Sequence, residues 1–67
     1  SIDELGAAVE TARNARPKVE RLITPVAVLD FIPEGIRVRE LGPALTAADI
    51  QHSLPVPLHA GPDLKQM

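Results

Sequence analysis

The sequence predicts a small α+β domain: a helix, a β-hairpin, a short second helix and an extended tail. Three observations carry this. An amphipathic stretch opens the chain. Two apolar, β-branched runs flank one tight turn at Ile32-Pro33-Glu34-Gly35. A capping pattern at Thr46 then starts another helix. We read residues 1–67 as one unit, with helix over 1–16, hairpin over 19–41, short helix over 46–54 and a frayed tail over 61–67.

The first helix is read from Ile2 to Ala15. Ser1 followed by Glu4 fits a capping box. Ile2, Leu5, Val9 and Ala12 recur at spacings of three and four, which puts them on one helical face. Ala7 and Ala8 favour helix, and Asp3 and Glu4 sit at the positive end of its dipole. Pro17 ends it. The near-heptad seam has two readings: a surface for a partner, or the face that covers the hairpin.

From Lys18 to Phe31 the pattern turns to strand, with Val19, Leu22, Ile23, Val26 and Val28 and then Ile32 beyond. The run Val26-Ala27-Val28-Leu29 is apolar on both faces, a sign of burial on both sides. Pro25 has no amide to donate, so it starts the strand, lies at an edge or carries a bulge. Pro33 presets the first central position of a type I turn, and Gly35 supplies a left-handed residue and a G1 bulge. Residues 36–41 alternate, with Ile36, Val38 and Glu40 on one face and Arg37, Arg39 and Leu41 on the other. Gly42-Pro43 breaks this second strand. Thr46 and Asp49 form a looser capping box, with Ala47, Ile50 and Leu54 as apolar contacts. Pro55-Val56-Pro57-Leu58 reads as extended or polyproline-like, and Gly61 to Met67 as a fraying end.

Bulk properties narrow the functional classes. The chain of 67 residues has no cysteine, which excludes disulfides and thiolate zinc sites. Phe31 is its one aromatic residue, and a domain of this size buries only about 60% of its unfolded surface. A partner, or a second copy, is therefore expected. The net charge of −2, with signs interspersed and no aromatic platform, argues against nucleic acid. No apolar run approaches the ~20 residues of a membrane helix, and no signal peptide is visible. We expect a cytoplasmic protein. Ser1 in place of an initiating Met suggests a processed product or a piece of something longer.

No reactive constellation accompanies these elements. Glu34 is best read as a solvated turn residue. Asp30 and Glu40 could mimic a carboxylate pair across the hairpin, but Arg37 and Arg39 nearby favour cross-strand salt bridges. His52 and His59 are seven residues apart with two prolines between, unlike a helical two-histidine metal site. Among Ser1, Thr11, Thr24, Thr46 and Ser53, only Ser53 has a neighbouring histidine, His52, and adjacent helical residues diverge. A small-ligand site lacks convergent polar residues. We assign no catalytic, cofactor-binding or metal-binding residue.

Residues 22–50 do carry a resemblance. Ile23-Thr24, Ala27-Val28, Asp30, Pro33-Glu34-Gly35, Glu40-Leu41, Pro43 and Thr46 match in order the C-terminal end of the B (β) subunit of 3-oxoacid (succinyl-CoA:3-ketoacid) CoA-transferases. Pro25 stands where that family has aspartate, Leu29 where it has phenylalanine, and the first helix has no counterpart. The resemblance implies transfer of CoA between succinyl-CoA and a 3-oxoacid, with coenzyme A as a substrate of the intact enzyme only. The family's nucleophile is a glutamate in an upstream Ser-Glu-Asn-Gly motif, which this sequence lacks. Glu34 belongs to the turn motif and does not inherit that role. The resemblance implies a truncated, inactive relative of the β subunit, a fragment of an α/β fold that joins the remainder of such an enzyme or a homo-oligomer. The alternative is a small self-associating interaction module.

Overall fold

Hydrophobic spacing in the first twelve helical positions places Leu5, Val9 and Ala12 along one stripe, and all three are buried. The computed structural model describes residues 2–67, so the cap expected at Ser1 lies outside the described residues. Helix α1 spans Ile2–Arg13, ending slightly short of Ala15. Its last amides turn inward, Asn14 N–H to the Glu10 carbonyl (3.3 Å) and Ala15 N–H to the Ala12 carbonyl (3.2 Å). This is the tightened final turn that helices often show before a proline.

The expected hairpin is the centre of a four-stranded sheet. Strands β1 (Arg21–Ile23), β2 (Ala27–Ile32), β3 (Gly35–Leu41) and β4 (Leu58–Gln66) lie side by side in chain order. The first two pairings are antiparallel, while β3 and β4 run parallel. The first predicted strand is thus two strands. Thr24 makes the turn between them: its Oγ1 accepts from the Val26 and Ala27 amides (3.2 and 3.0 Å) and donates to the Ala27 carbonyl (3.0 Å). Pro25 sits inside this turn, where its missing amide costs nothing.

One face of the sheet is dry. Leu5 and Val9 of α1 pack with Ala27, Leu29, Ile36, Val38, Leu41, Ile50 and Leu54 into one core, fringed by Leu22, Phe31, Val56, Leu58 and Leu64. The α1 seam is therefore interior, which decides between its two readings. In β3 the alternation breaks. The register slips between Val28 and Leu29, leaving Arg39 as an extra residue between Val38, opposite Leu29, and Glu40, opposite Val28. Leu41 consequently joins Ile36 and Val38 in the core, and Glu40 moves to the open face with Arg37, the reverse of the simple alternation expected for residues 40 and 41.

Helix α2 (Ala47–Gln51) opens as expected. Thr46 Oγ1 accepts from the Asp49 amide (3.2 Å), and the Asp49 carboxylate accepts from the Thr46 amide (3.0 Å). Of the 46–54 span, residues 52 and 53 form a turn rather than helix. The Gln51 side chain then clamps the next segment, donating to the Val56 carbonyl (3.0 Å) and accepting from the Leu58 amide (2.8 Å).

The expected fraying of residues 61–67 is not what the chain does. Residues 58–66 form β4, and Met67 N–H reaches the Leu41 carbonyl at 2.7 Å. Gly61 and Pro62 fall in a wide bulge. Ala60 pairs with Val38 and Lys65 with Glu40, so the residues between them need no regular ladder bonds.

Gly35 is pinned for two reasons. Its φ of 140° disfavours an L side chain, and a Cβ there would stand 2.4 Å from the Pro57 carbonyl oxygen. That oxygen accepts the Ile36 amide (3.0 Å) at the head of the β3–β4 pairing. Gly35→Ala is expected to cost about 2–4 kcal/mol, combining conformational strain with a backbone clash. Ala44 presents the opposite case. It holds φ 66° after Pro43 in the turn closed by Leu45 N–H on the Gly42 carbonyl (3.2 Å), a position suited to glycine. Ala44→Gly should raise stability by about 0.5–1 kcal/mol, the relieved left-handed strain exceeding the added chain entropy. Urea denaturation of both variants checks these signs.

Candidate functional site

Charged residues gather on the open face of the sheet because the pleat sends them away from the core. Arg21 on β1 lies directly opposite Asp30 on β2. Its guanidinium grips both carboxylate oxygens, Nε to Oδ1 at 2.6 Å and Nη2 to Oδ2 at 3.1 Å. Arg39, brought outward by the β3 bulge, approaches Oδ2 of Asp30 at 3.7 Å and reaches Asp63 on β4 at 3.9 Å. One ionic row thus crosses all four strands. Arg37, opposite Asp30 on β3, adds a third nearby cation.

This row sets the state of the Asp30 carboxyl. The hydrogen bond from Arg21 holds it below the usual aspartate range. Partial burial opposes the shift, and the charges of Arg21, Arg39 and Arg37 reinforce it. The same bond raises the Arg21 guanidinium above its ordinary value. A carboxylate so held is neither a proton donor at neutral pH nor a free nucleophile. Its chemistry is to tie strands together. Asp30 and Glu40 are not directly opposite each other, because Glu40 faces Val28, so the hairpin builds no directly opposed carboxylate pair. The cross-strand salt bridges expected instead are present, with Arg21 as the closest partner. That partner was hidden in the sequence, since nothing marked Arg21 as lying on a separate strand.

The other candidates are scattered. Glu34 occupies the exposed turn, and its carbonyl oxygen lies 3.3 Å from Nε2 of His59 on β4. His52 caps the far end of α2, exposed, beside Ser53. The two histidines therefore serve different elements. Thr24 and Thr46 spend their hydroxyls on the turn and the helix cap, and Thr11 points to solvent from α1. Ser1 lies outside the described residues. Among the described residues, no group of three or more histidine, aspartate or glutamate side chains is arranged to hold a metal ion. Among the described residues, no helix is long and apolar enough to span a membrane.

A concave surface of about 260 Å³ opens where the end of α1 meets the hairpin turn. Phe31, Ile32 and Val56 line its wall, with Arg13 and Lys18 beside them. Arg13 already donates to Glu10 at 2.9 Å. This cleft offers apolar contact and positive charge, but none of its lining residues is an acid, a histidine or a hydroxyl nucleophile.

No family model matches the chain, and no curated protein matches it by sequence. Among solved structures it is similar to an acyl-CoA transferase, YdiF of E. coli O157:H7, determined as a thioester complex with CoA. The likeness has a TM-score of 0.59 and 29% identity over 70% of this chain. The chain spans 9% of the length of that enzyme. An acyl-CoA transferase is thus a structural neighbour of this domain.

The ionic row generates a pH-dependent expectation. With its folded-state pKa depressed, Asp30 contributes stability above its unfolded value of about 3.9, and that contribution fades as pH falls through the lower folded value. Asp30→Asn should destabilise the chain by about 0.5–1 kcal/mol at neutral pH, the scale of a partly exposed pair. The difference from the parent should shrink on acidification below about pH 4. Urea midpoints for both proteins across that range measure it. A penalty that stays constant into strong acid would show that Asn at this position perturbs packing rather than charge.

Proposed function

We propose that this chain is a truncated relative of a CoA-transferase β subunit that serves as a packing unit and performs no acyl transfer alone. The observation that carries the reading is the likeness to an acyl-CoA transferase, 29% identical over 70% of this chain. It is joined by the resemblance of residues 22–50 to the end of the β subunit. The chain corresponds to a small share of the neighbouring enzyme. In this reading it completes a larger assembly, either the remainder of a CoA-transferase or a homo-oligomer.

The chemistry of its residues supports the second half of the proposal. Acyl transfer of the family type needs a carboxylate that attacks a thioester and is desolvated while it does so. Asp30 is saturated by arginine, and Glu34 stands exposed at the turn, where its backbone carbonyl lies 3.3 Å from His59 Nε2. Coenzyme A is then a substrate of the intact enzyme and not a cofactor of this chain.

The test is an assay of CoA transfer from succinyl-CoA to a 3-oxoacid, using the isolated chain and its Glu34→Gln variant. Both are expected to show only the uncatalysed rate. Turnover by the parent that disappears in Glu34→Gln would overturn the reading and make Glu34 the nucleophile. Turnover that survives the change would overturn it too, and send the search to another residue.

A further inference from the structure

The two edges of the sheet are not alike. The outer edge of β4 is interrupted by the bulge holding Gly61 and Pro62, a feature that discourages strand addition. Strand β1 has no such interruption between Arg21 and Ile23. Which of its backbone groups point outward follows from two hydrogen bonds. Phe31 N–H donates to the Glu20 carbonyl (2.9 Å), and Thr24 N–H donates to the Ala27 carbonyl (2.9 Å). In an antiparallel ladder, bonded and non-bonded pairs alternate. Glu20, Leu22 and Thr24 therefore aim their backbone groups at β2, while the amides and carbonyls of Arg21 and Ile23 face away from it.

These outward groups are symmetric about Leu22. A second β1 laid antiparallel against the first, with Leu22 on the two-fold axis, sets Arg21 opposite the other copy's Ile23 and Ile23 opposite its Arg21. Each of these pairs exchanges two N–H···O bonds, and all four outward groups of each strand find partners. Leu22 then meets Leu22 in the close, non-bonded position of the ladder. Leu22 is half-buried on the core face, and Ile23 on the open face is 73% exposed. Both gain apolar cover. Glu20 falls opposite Thr24, so no like charges stand directly opposite one another, and the Arg21 charge is already taken up by Asp30.

We propose that β1 is a self-complementary edge through which two copies of this chain join their sheets into one. The inference is independent of the CoA-transferase reading, since its readout involves no acyl chemistry. A three-residue ribbon makes a weak, concentration-dependent dimer.

Amide hydrogen exchange of the full chain, followed by NMR over a dilution series from millimolar to low micromolar, tests it. Leu22 N–H, bonded within the sheet, should stay protected throughout. The Arg21 and Ile23 amides should exchange about tenfold more slowly at the concentrated end than at the dilute end. In parallel, sedimentation should show dimer at the concentrated end for the parent and monomer throughout for Ile23→Pro. That change removes only an outward amide, and Leu22 before it is already extended. Fast exchange of both amides at every concentration would overturn the proposal, as would a dimer that persists in a folded Ile23→Pro. Should that variant fail to fold, the exchange pattern of the parent decides alone.

Discussion

The carbonyl of Pro57 reaches the Ile36 amide only because Gly35 carries no side chain. Most of the second half of the fold depends on that contact. It fixes where the chain returns to the sheet after α2 and starts the parallel register of Ile36 with Leu58. It thereby brings Leu58 and Leu64 to the margin of the core. Gln51 assists from the helix side by satisfying both the Val56 carbonyl and the Leu58 amide. A segment with two prolines, poor in ladder donors, is thus led to its place by one glutamine and one glycine.

Local chemistry made much of this legible in the sequence. The α1 stripe of Leu5, Val9 and Ala12, the turn at Pro33-Glu34-Gly35 and the Thr46–Asp49 box each depend on residues within a few positions of one another. The stripe and the box formed as read, while the turn closed at the expected residues with Gly35, at φ 140°, paired to Ile32 in the ladder rather than left-handed in a G1 bulge. What escaped depends on distant partners or on local bonds that the residue types leave optional. The split into β1 and β2 rests on the Thr24 hydroxyl meeting the Ala27 backbone, a bond that threonine can form or forgo. The bulge at Arg39 reverses the facing of Glu40 and Leu41, and no residue type there announces it. Strand β4 takes in the expected fraying end, its Gly61 and Pro62 accommodated as a bulge beside β3. The site followed the same division. Asp30 was legible as a salt-bridged residue, but its closest partner Arg21 became visible only once β1 existed.

The two faces of the sheet divide charge from apolar packing. The open face of the sheet carries a continuous ionic row, the covered face carries the aliphatic core, and among the described residues no buried polar or charged residue lies between them. Reactive sites usually require such a residue, held away from water and shifted from its ordinary ionisation. Here the Asp30 carboxylate is shifted toward the charged form by arginine, the direction that favours cohesion over proton transfer. Likeness to an acyl-CoA transferase therefore describes how these residues pack. A shared fold does not by itself carry an activity.

The parallel placement of β4 also gives the molecule a seam of unequal durability. Strands β1, β2 and β3 are joined by tight turns, so each closes onto its neighbour at little cost in chain freedom. Strand β4 closes a much longer loop through α2, and its ladder is interrupted in the middle. Thermal motion should therefore release the chain from its C-terminal end inward, peeling β4 away while the meander and α1 still hold their shared core. That release would uncover the far edge of β3, turning the interior flank of a four-stranded sheet into the rim of a three-stranded one.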